Sequence, residues 1–240
     1  MTDGELRAQA AAGEPRTYTC VPPGSGERIG IDRDGDGAPD ATEVDEGTDP
    51  TDPASKPPSA PYVLVVTRTL RLVDSSEPPP RPSRRRINFK AASHRLDPIA
   101  SRIVPPVRGG LGDPTLGGAV VTVYNAAGLT DDDVRVVLPA SGWQASGGAA
   151  PMYRFHSADP DAPISSVQVQ ADRLVVNGGR SGWTYTLDEP SQGEVAIRVQ
   201  LGTGIRWCGV AAAKGAKASN DRVDRFAGVG AAPVFCPPRP

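Results

Sequence analysis

Glu194-Val195-Ala196-Ile197-Arg198-Val199-Gln200-Leu201 places Val195, Ile197, Val199 and Leu201 on one side of an extended chain. Glu194, Ala196, Arg198 and Gln200 fall on the other side. Strict period-two alternation is the mark of a strand with one dry face and one wet face. The same pattern recurs on both sides of this stretch. Val167, Val169 and Ala171 alternate with Gln168, Gln170 and Asp172, and Trp183, Tyr185 and Leu187 share a face. Val134-Arg135-Val136-Val137-Leu138, Ala119 to Tyr124, Ile87 to Ala91, Thr69 to Val73 and Tyr62 to Val66 are β-rich, and Leu174-Val175-Val176 runs to a turn expected at Asn177-Gly178-Gly179. Short strands separated by Gly and Pro predict a mainly β, antiparallel β-sandwich or jelly-roll-like domain over residues 62–240.

Composition agrees. The chain has 240 residues, of which 27 are Gly and 26 Pro, more than a fifth together, without a collagen period. A net charge of −2 gives no global field for nucleic acid or an anionic membrane, and no apolar run is long enough to span a bilayer. Arg81, Arg84, Arg85 and Arg86 gather in one loop. They read either as a polyanion contact or as a solvated loop edge, and the lack of an interleaved aromatic favours the edge.

Upstream of the proline-rich linker at residues 57–61 the character changes. Asp32-Arg33-Asp34-Gly35-Asp36-Gly37-Ala38-Pro39-Asp40-Ala41-Thr42-Glu43 sets carboxylates at positions 1, 3, 5, 9 and 12 of a twelve-residue loop, with glycine at position 6. A hard cation that takes six to eight oxygens needs this spacing, and the glycine permits the sharp turn that gathers them. The expected cofactor is calcium, ahead of magnesium on oxygen count. Asp40 to Glu46 is expected to add one or two helical turns stopped by Gly47.

With Gly47-Thr48-Asp49-Pro50-Thr51-Asp52-Pro53 behind it, the loop resembles the thrombospondin type 3-like calcium repeats of bacterial secreted and surface proteins. It is also similar to a single EF-hand-like or dockerin-type loop. The resemblance covers residues 28–56. It implies Asp32, Asp34, Asp36, Asp40 and Glu43 as side-chain ligands and Ala38 as a carbonyl ligand, in an acidic connector ordered by calcium. One copy replaces the usual array, the incoming flank is Gly-rich rather than helical, and Pro39 stands where an aliphatic residue is usual. Pairing with a second loop, or with a cohesin, is therefore not expected.

Three cysteines occur, with no C-x-x-C pair. Cys208 and Cys236 bracket a segment with few apolar anchors, which favours a disulfide over two buried thiols and leaves Cys20 odd. A calcium loop and a disulfide both suit a secreted or cell-surface setting. The acidic first residues are no signal peptide, so a start further upstream is expected. Residues 1–27 read as the remnant of a preceding domain, with a short helix at 6–12 and a strand at 17–21.

Catalysis leaves little trace. There are two histidines, His94 and His156, and no nucleophile elbow, P-loop, zinc helix or dinucleotide fingerprint. Asp131-Asp132-Asp133 reads as the start of a turn. Trp143, Trp183 and Trp207, with Tyr124, Tyr153 and Tyr185, form either a platform for sugar rings or the core; core is the stronger reading. The sequence thus predicts a noncatalytic calcium-binding accessory region. A carbohydrate-binding module and a hydrolase are the alternatives, and the expected partners are calcium, a glycan or another extracellular protein.

Overall fold

The structure, a computed structural model, describes residues 32–57, 61–75, 80–93, 102–128, 132–148, 151–215 and 218–239. The expected helix at 6–12, the strand at 17–21, Cys20, His94 and Asp131 lie outside these residues. The chain divides into two compact units between Pro57 and Pro58.

Among its described residues the first unit holds one helix, α1 (Asp40–Glu46). Pro39 sits at its N-cap, where an extended backbone (ψ 140°) and a missing N–H cost the helix nothing. Gly47 closes it in the left-handed region at φ 72°. The N–H groups of Gly47 and Thr48 return to the carbonyls of Val44 (3.1 Å) and Glu43 (2.8 Å), a Schellman-type stop that only a glycine makes without strain.

The second unit is mainly β, as the alternation predicts. Its strands are β1 (Tyr62–Leu64), β2 (Thr67–Val73), β3 (Arg86–Ala92), β4 (Ala119–Asn125), β5 (Asp133–Leu138), β6 (Trp143–Ser146), β7 (Met152–His156), β8 (Ile164–Gln170), β9 (Arg173–Gly179), β10 (Glu194–Leu201), β11 (Ile205–Ala213), β12 (Asp221–Arg222) and β13 (Arg225–Gly230). They join in one thirteen-stranded sheet of order β5-β4-β10-β11-β13-β2-β3-β9-β8-β7-β6, with β1 beside β11 and β12 beside β13. Every pairing is antiparallel except β1 with β11. The sheet curls into a half-barrel, so its apolar face closes on itself as the two faces of a sandwich would.

One core fills the curl. Val195, Ile197, Val199 and Leu201 of β10 are at most 1 % exposed and meet Leu70, Leu72, Phe89, Leu174 and Val176 in the same cluster. Each such side chain contributes about 1.5–3 kcal/mol. Trp143, Trp183, Trp207, Tyr124, Tyr153 and Tyr185 are all buried. The expected alternative of an aromatic sugar platform therefore loses its ring faces to packing.

Beside the stretch of Trp183, Tyr185 and Leu187, which are buried together but form no strand, two local expectations differ from the structure. Asn177-Gly178-Gly179 is no turn but the end of β9, paired with β3 and β8. A Cβ at Gly178 would collide with the Pro163 carbonyl, so glycine serves close strand approach here. The second concerns Arg198, which alternation places on the wet face. It is only 5 % exposed. The C-terminal segment covers it, held by the Cys208–Cys236 disulfide (Cα–Cα 5.8 Å). The Arg198 guanidinium donates to the Pro237 carbonyl (2.5 Å) and lies over the rings of Tyr62 and Tyr124 at 5.1 and 4.9 Å.

The connection into β4 is fixed by a buried carboxylate. Asp113 caps α2 (Pro114–Gly117), accepting from the Thr115 N–H (2.9 Å), the Thr115 hydroxyl (2.7 Å) and the Gly109 N–H (2.7 Å). Burial pushes the Asp113 carboxyl up, but the bonds from Thr115 and Gly109 together outweigh it, and the net displacement is downward. A depressed carboxylate adds stability above the ordinary Asp range that is lost as pH falls through its folded value. Asp113→Ala is expected to cost about 1–2 kcal/mol at neutral pH. In urea melts the penalty should shrink toward zero as the pH falls below about 4.

Candidate metal centre

In the acidic loop each carboxylate first organises backbone. Asp32 accepts from the Gly35 N–H (2.8 Å) and, through its other oxygen, from the Gly37 N–H (3.0 Å). Asp34 accepts from the Asp36 N–H (3.1 Å), and Asp36 from the Ala38 N–H (2.6 Å). These short Asx-type turns wind the chain tightly, and Gly35 (φ 75°) and Gly37 (φ 93°) take the conformations that the winding demands. One oxygen from each of Asp32, Asp34 and Asp36 then lies within 4.8 Å of the others.

α1 supplies the fourth carboxylate. Glu43 is fully buried, with one oxygen near the Thr48 hydroxyl (3.4 Å). Burial, then the charges of Asp34 and Asp36, push its carboxyl above the usual range, against the hydrogen bond from Thr48. Glu43 thus stands in the field of the same carboxylates that the loop gathers. Asp34 Oδ2, Asp36 Oδ2 and Glu43 Oε2 are closed to solvent and accept no hydrogen bond. Lys56 is the nearby cation: its ammonium contacts the Asp36 carbonyl and lies 3.7 Å from Asp36 Oδ2.

Asp40 behaves differently. It accepts from the Arg33 N–H (2.7 Å) and pairs with the Arg33 guanidinium at 3.3 Å, so both its oxygens face Arg33. Ala38 is buried, with its N–H committed to Asp36. The structure therefore gathers Asp32, Asp34 and Asp36, sets Glu43 in their field, and directs Asp40 to the loop's own arginine. Arg33 and Lys56 were not anticipated as neighbours, because neither belongs to the carboxylate spacing.

The donor set fits a hard cation. It is all oxygen, it is anionic, and three of its buried oxygens have no protein donor, whereas buried polar atoms are nearly always satisfied. A second acidic group, Asp132, Asp188 and Glu189, contrasts with it. There Asp132 takes the Thr186 hydroxyl and Glu189 takes the Gln192 amide (2.9 Å), so one oxygen of each of these two carboxylates already accepts from the protein. His156 is exposed on β7, where its cross-strand partner is Ser166 of β8 and no carboxylate stands opposite it. No described helix is long and apolar enough to cross a membrane. Comparison with family models, with curated proteins and with solved structures returned no match to this chain.

Proposed function

We propose that the acidic loop binds one calcium ion and that the chain is a noncatalytic accessory region of an exported protein, with a connector that calcium stiffens. One observation carries the reading. Glu43 is fully buried, and it shares with Asp34 and Asp36 three carboxylate oxygens that are closed to solvent and accept no hydrogen bond, against the one ammonium of Lys56 at 3.7 Å from Asp36 Oδ2. Such a concentration of negative charge is costly without a cation.

Asp32, Asp34, Asp36 and Glu43 would hold the ion through side chains and Ala38 through its carbonyl. Asp40 sits at the loop position that commonly acts through water. A bound calcium ion supplies neutralisation of these carboxylates. The chain's own residues do the rest: the Asx turns hold the loop closed, and Gly47 and Thr48 hold α1 so that Glu43 stays aimed inward. The disulfide in the second unit is compatible with an extracellular setting. The thrombospondin type 3-like resemblance supports the same assignment.

Trypsin tests the stiffening, because Arg33 lies inside the loop. With millimolar calcium, cleavage after Arg33 should slow at least tenfold relative to chelator, while cleavage within the second unit is unchanged. Equal rates in calcium and chelator would remove the proposal.

A further inference from the structure

The outward face of β2, β3, β9, β8 and β7 is cationic although the chain as a whole carries −2. Residues that pair across the strands form rows. Arg71, Asn88, Asn177, Ser166 and His156 make one, and Lys90, Val175, Gln168 and Arg154 the next. Arg86 precedes Asn88 by two positions on β3, and Arg173 precedes Val175 on β9, so both share this face. Arg71, Arg86, Lys90, Arg154 and Arg173 are exposed, and no carboxylate occupies an outward position on these five strands.

At one end the face deepens into a groove of about 630 Å³, lined by Arg71, Arg86, Arg180, Asn88, Asn177 and Ser165 among others. Arg85 also borders it but is committed elsewhere, to the buried Asp74 (2.9 Å) and the Trp183 carbonyl (2.9 Å). Among the described residues the groove's one carboxylate, Asp161, accepts from the Ser181 hydroxyl at 2.5 Å. Three arginines thus face one carboxylate. The floor is polar and ordered: the Asn88 amide donates to Asn177 (2.5 Å), and the Ser165 hydroxyl donates to the Asn177 carbonyl (3.2 Å). Gly178 lets the Pro163 backbone pack directly against β9 beneath this floor, where any side chain would collide with it.

We propose that this groove binds an anionic saccharide, a sugar chain bearing carboxylate or sulfate groups. A guanidinium fork matches either group bidentately. The amides and hydroxyls of the floor match sugar hydroxyls, and the volume suits a small ligand segment. Nucleic acid fits less well, because no aromatic side chain among the described residues lines the groove to stack a base. Charge and hydrogen bonding would do here what ring stacking does elsewhere, since the tryptophans are in the core. The site lies wholly within the second unit, so it stands or falls independently of calcium binding by the first.

The test is affinity electrophoresis of the full chain through gels containing polygalacturonate, dextran sulfate or neutral dextran, with a single-stranded DNA oligonucleotide titrated in parallel. Retardation is expected in polygalacturonate, in dextran sulfate or in both, which identifies the anionic group, and none in neutral dextran. The Arg71→Ser/Arg86→Ser double variant should bind at least tenfold more weakly. Arg135→Ser, on β5 at the far end of the sheet, should bind as wild type. The three substituted arginines are exposed, so melting temperatures should hold and separate a lost site from a lost fold. No retardation by either acidic polymer, equal loss in Arg135→Ser, or tighter binding of the oligonucleotide than of both polymers would each overturn the proposal.

Discussion

Glu43→Gln is expected to weaken calcium binding by roughly 10- to 100-fold, the loss of one charged contact at a buried site. In the metal-free chain the same substitution should act in the opposite direction. Burial and the charges of Asp34 and Asp36 hold the Glu43 carboxyl above its usual range, so its ionised form is disfavoured in the folded loop. A neutral glutamine of the same shape removes that repulsion. Amide exchange at Thr48, whose N–H rests on the Glu43 carbonyl, should slow in the variant without metal and quicken relative to wild type with calcium. A purely structural glutamate would shift both conditions the same way, and that result would remove Glu43 from the ligand set. Asp40→Asn should cost less, because Asp40 faces Arg33 rather than the acidic group.

The second large effect concerns the C-terminal segment. Replacing Cys208 and Cys236 together by Ser should cost about 3–4 kcal/mol, the entropy of a loop closed over a separation of 28 residues. For a unit of this size that lowers the melting temperature by roughly 10 °C. The bridge also holds the cover over Arg198. Pro237 accepts from both Arg198 and the Tyr124 hydroxyl (2.5 Å each), and Arg239 pairs with Asp133 at 3.1 Å. Release of that segment should expose Arg198 and Tyr124, visible as a rise in tyrosine quenching by a soluble quencher. Thermal melts with and without reductant give the same comparison in the wild-type chain. A change below 1 kcal/mol in both experiments would mean that the segment is held by its other contacts alone.

What was legible in the sequence followed from short-range rules. Alternation in β10 and β8 foretold strands with one dry face, because the pleat enforces it. Asp40 to Glu46 with Gly47 foretold α1 and its left-handed stop, because few residues other than glycine adopt that backbone. The carboxylate spacing foretold that Asp32, Asp34 and Asp36 would converge. Long-range features were not legible. β11 carries a buried Arg206 and Gly209 among its apolar residues, so its pattern is broken, and only its place between β10 and β13 makes it a strand. β13 is half glycine and alanine, Ala227, Gly228 and Gly230 among its six residues, and draws its strand character from β2 and β11. Asp40 shares the loop's spacing, yet an arginine seven residues earlier claims it. The cationic face combines residues from five strands, and no window of sequence reveals such a surface. The loop of Arg81, Arg84, Arg85 and Arg86 showed only part of it, since Arg85 turns inward to Asp74 and Arg86 alone joins the outward rows.

Isothermal titration of calcium into the full, chelator-treated chain tests the central claim most directly. The account predicts a single site with a dissociation constant on the order of 10⁻⁴ M, weaker binding of magnesium, and loss of the signal in Asp34→Asn/Glu43→Gln. Absence of heat at millimolar calcium, together with unchanged amide exchange at Thr48, would contradict it.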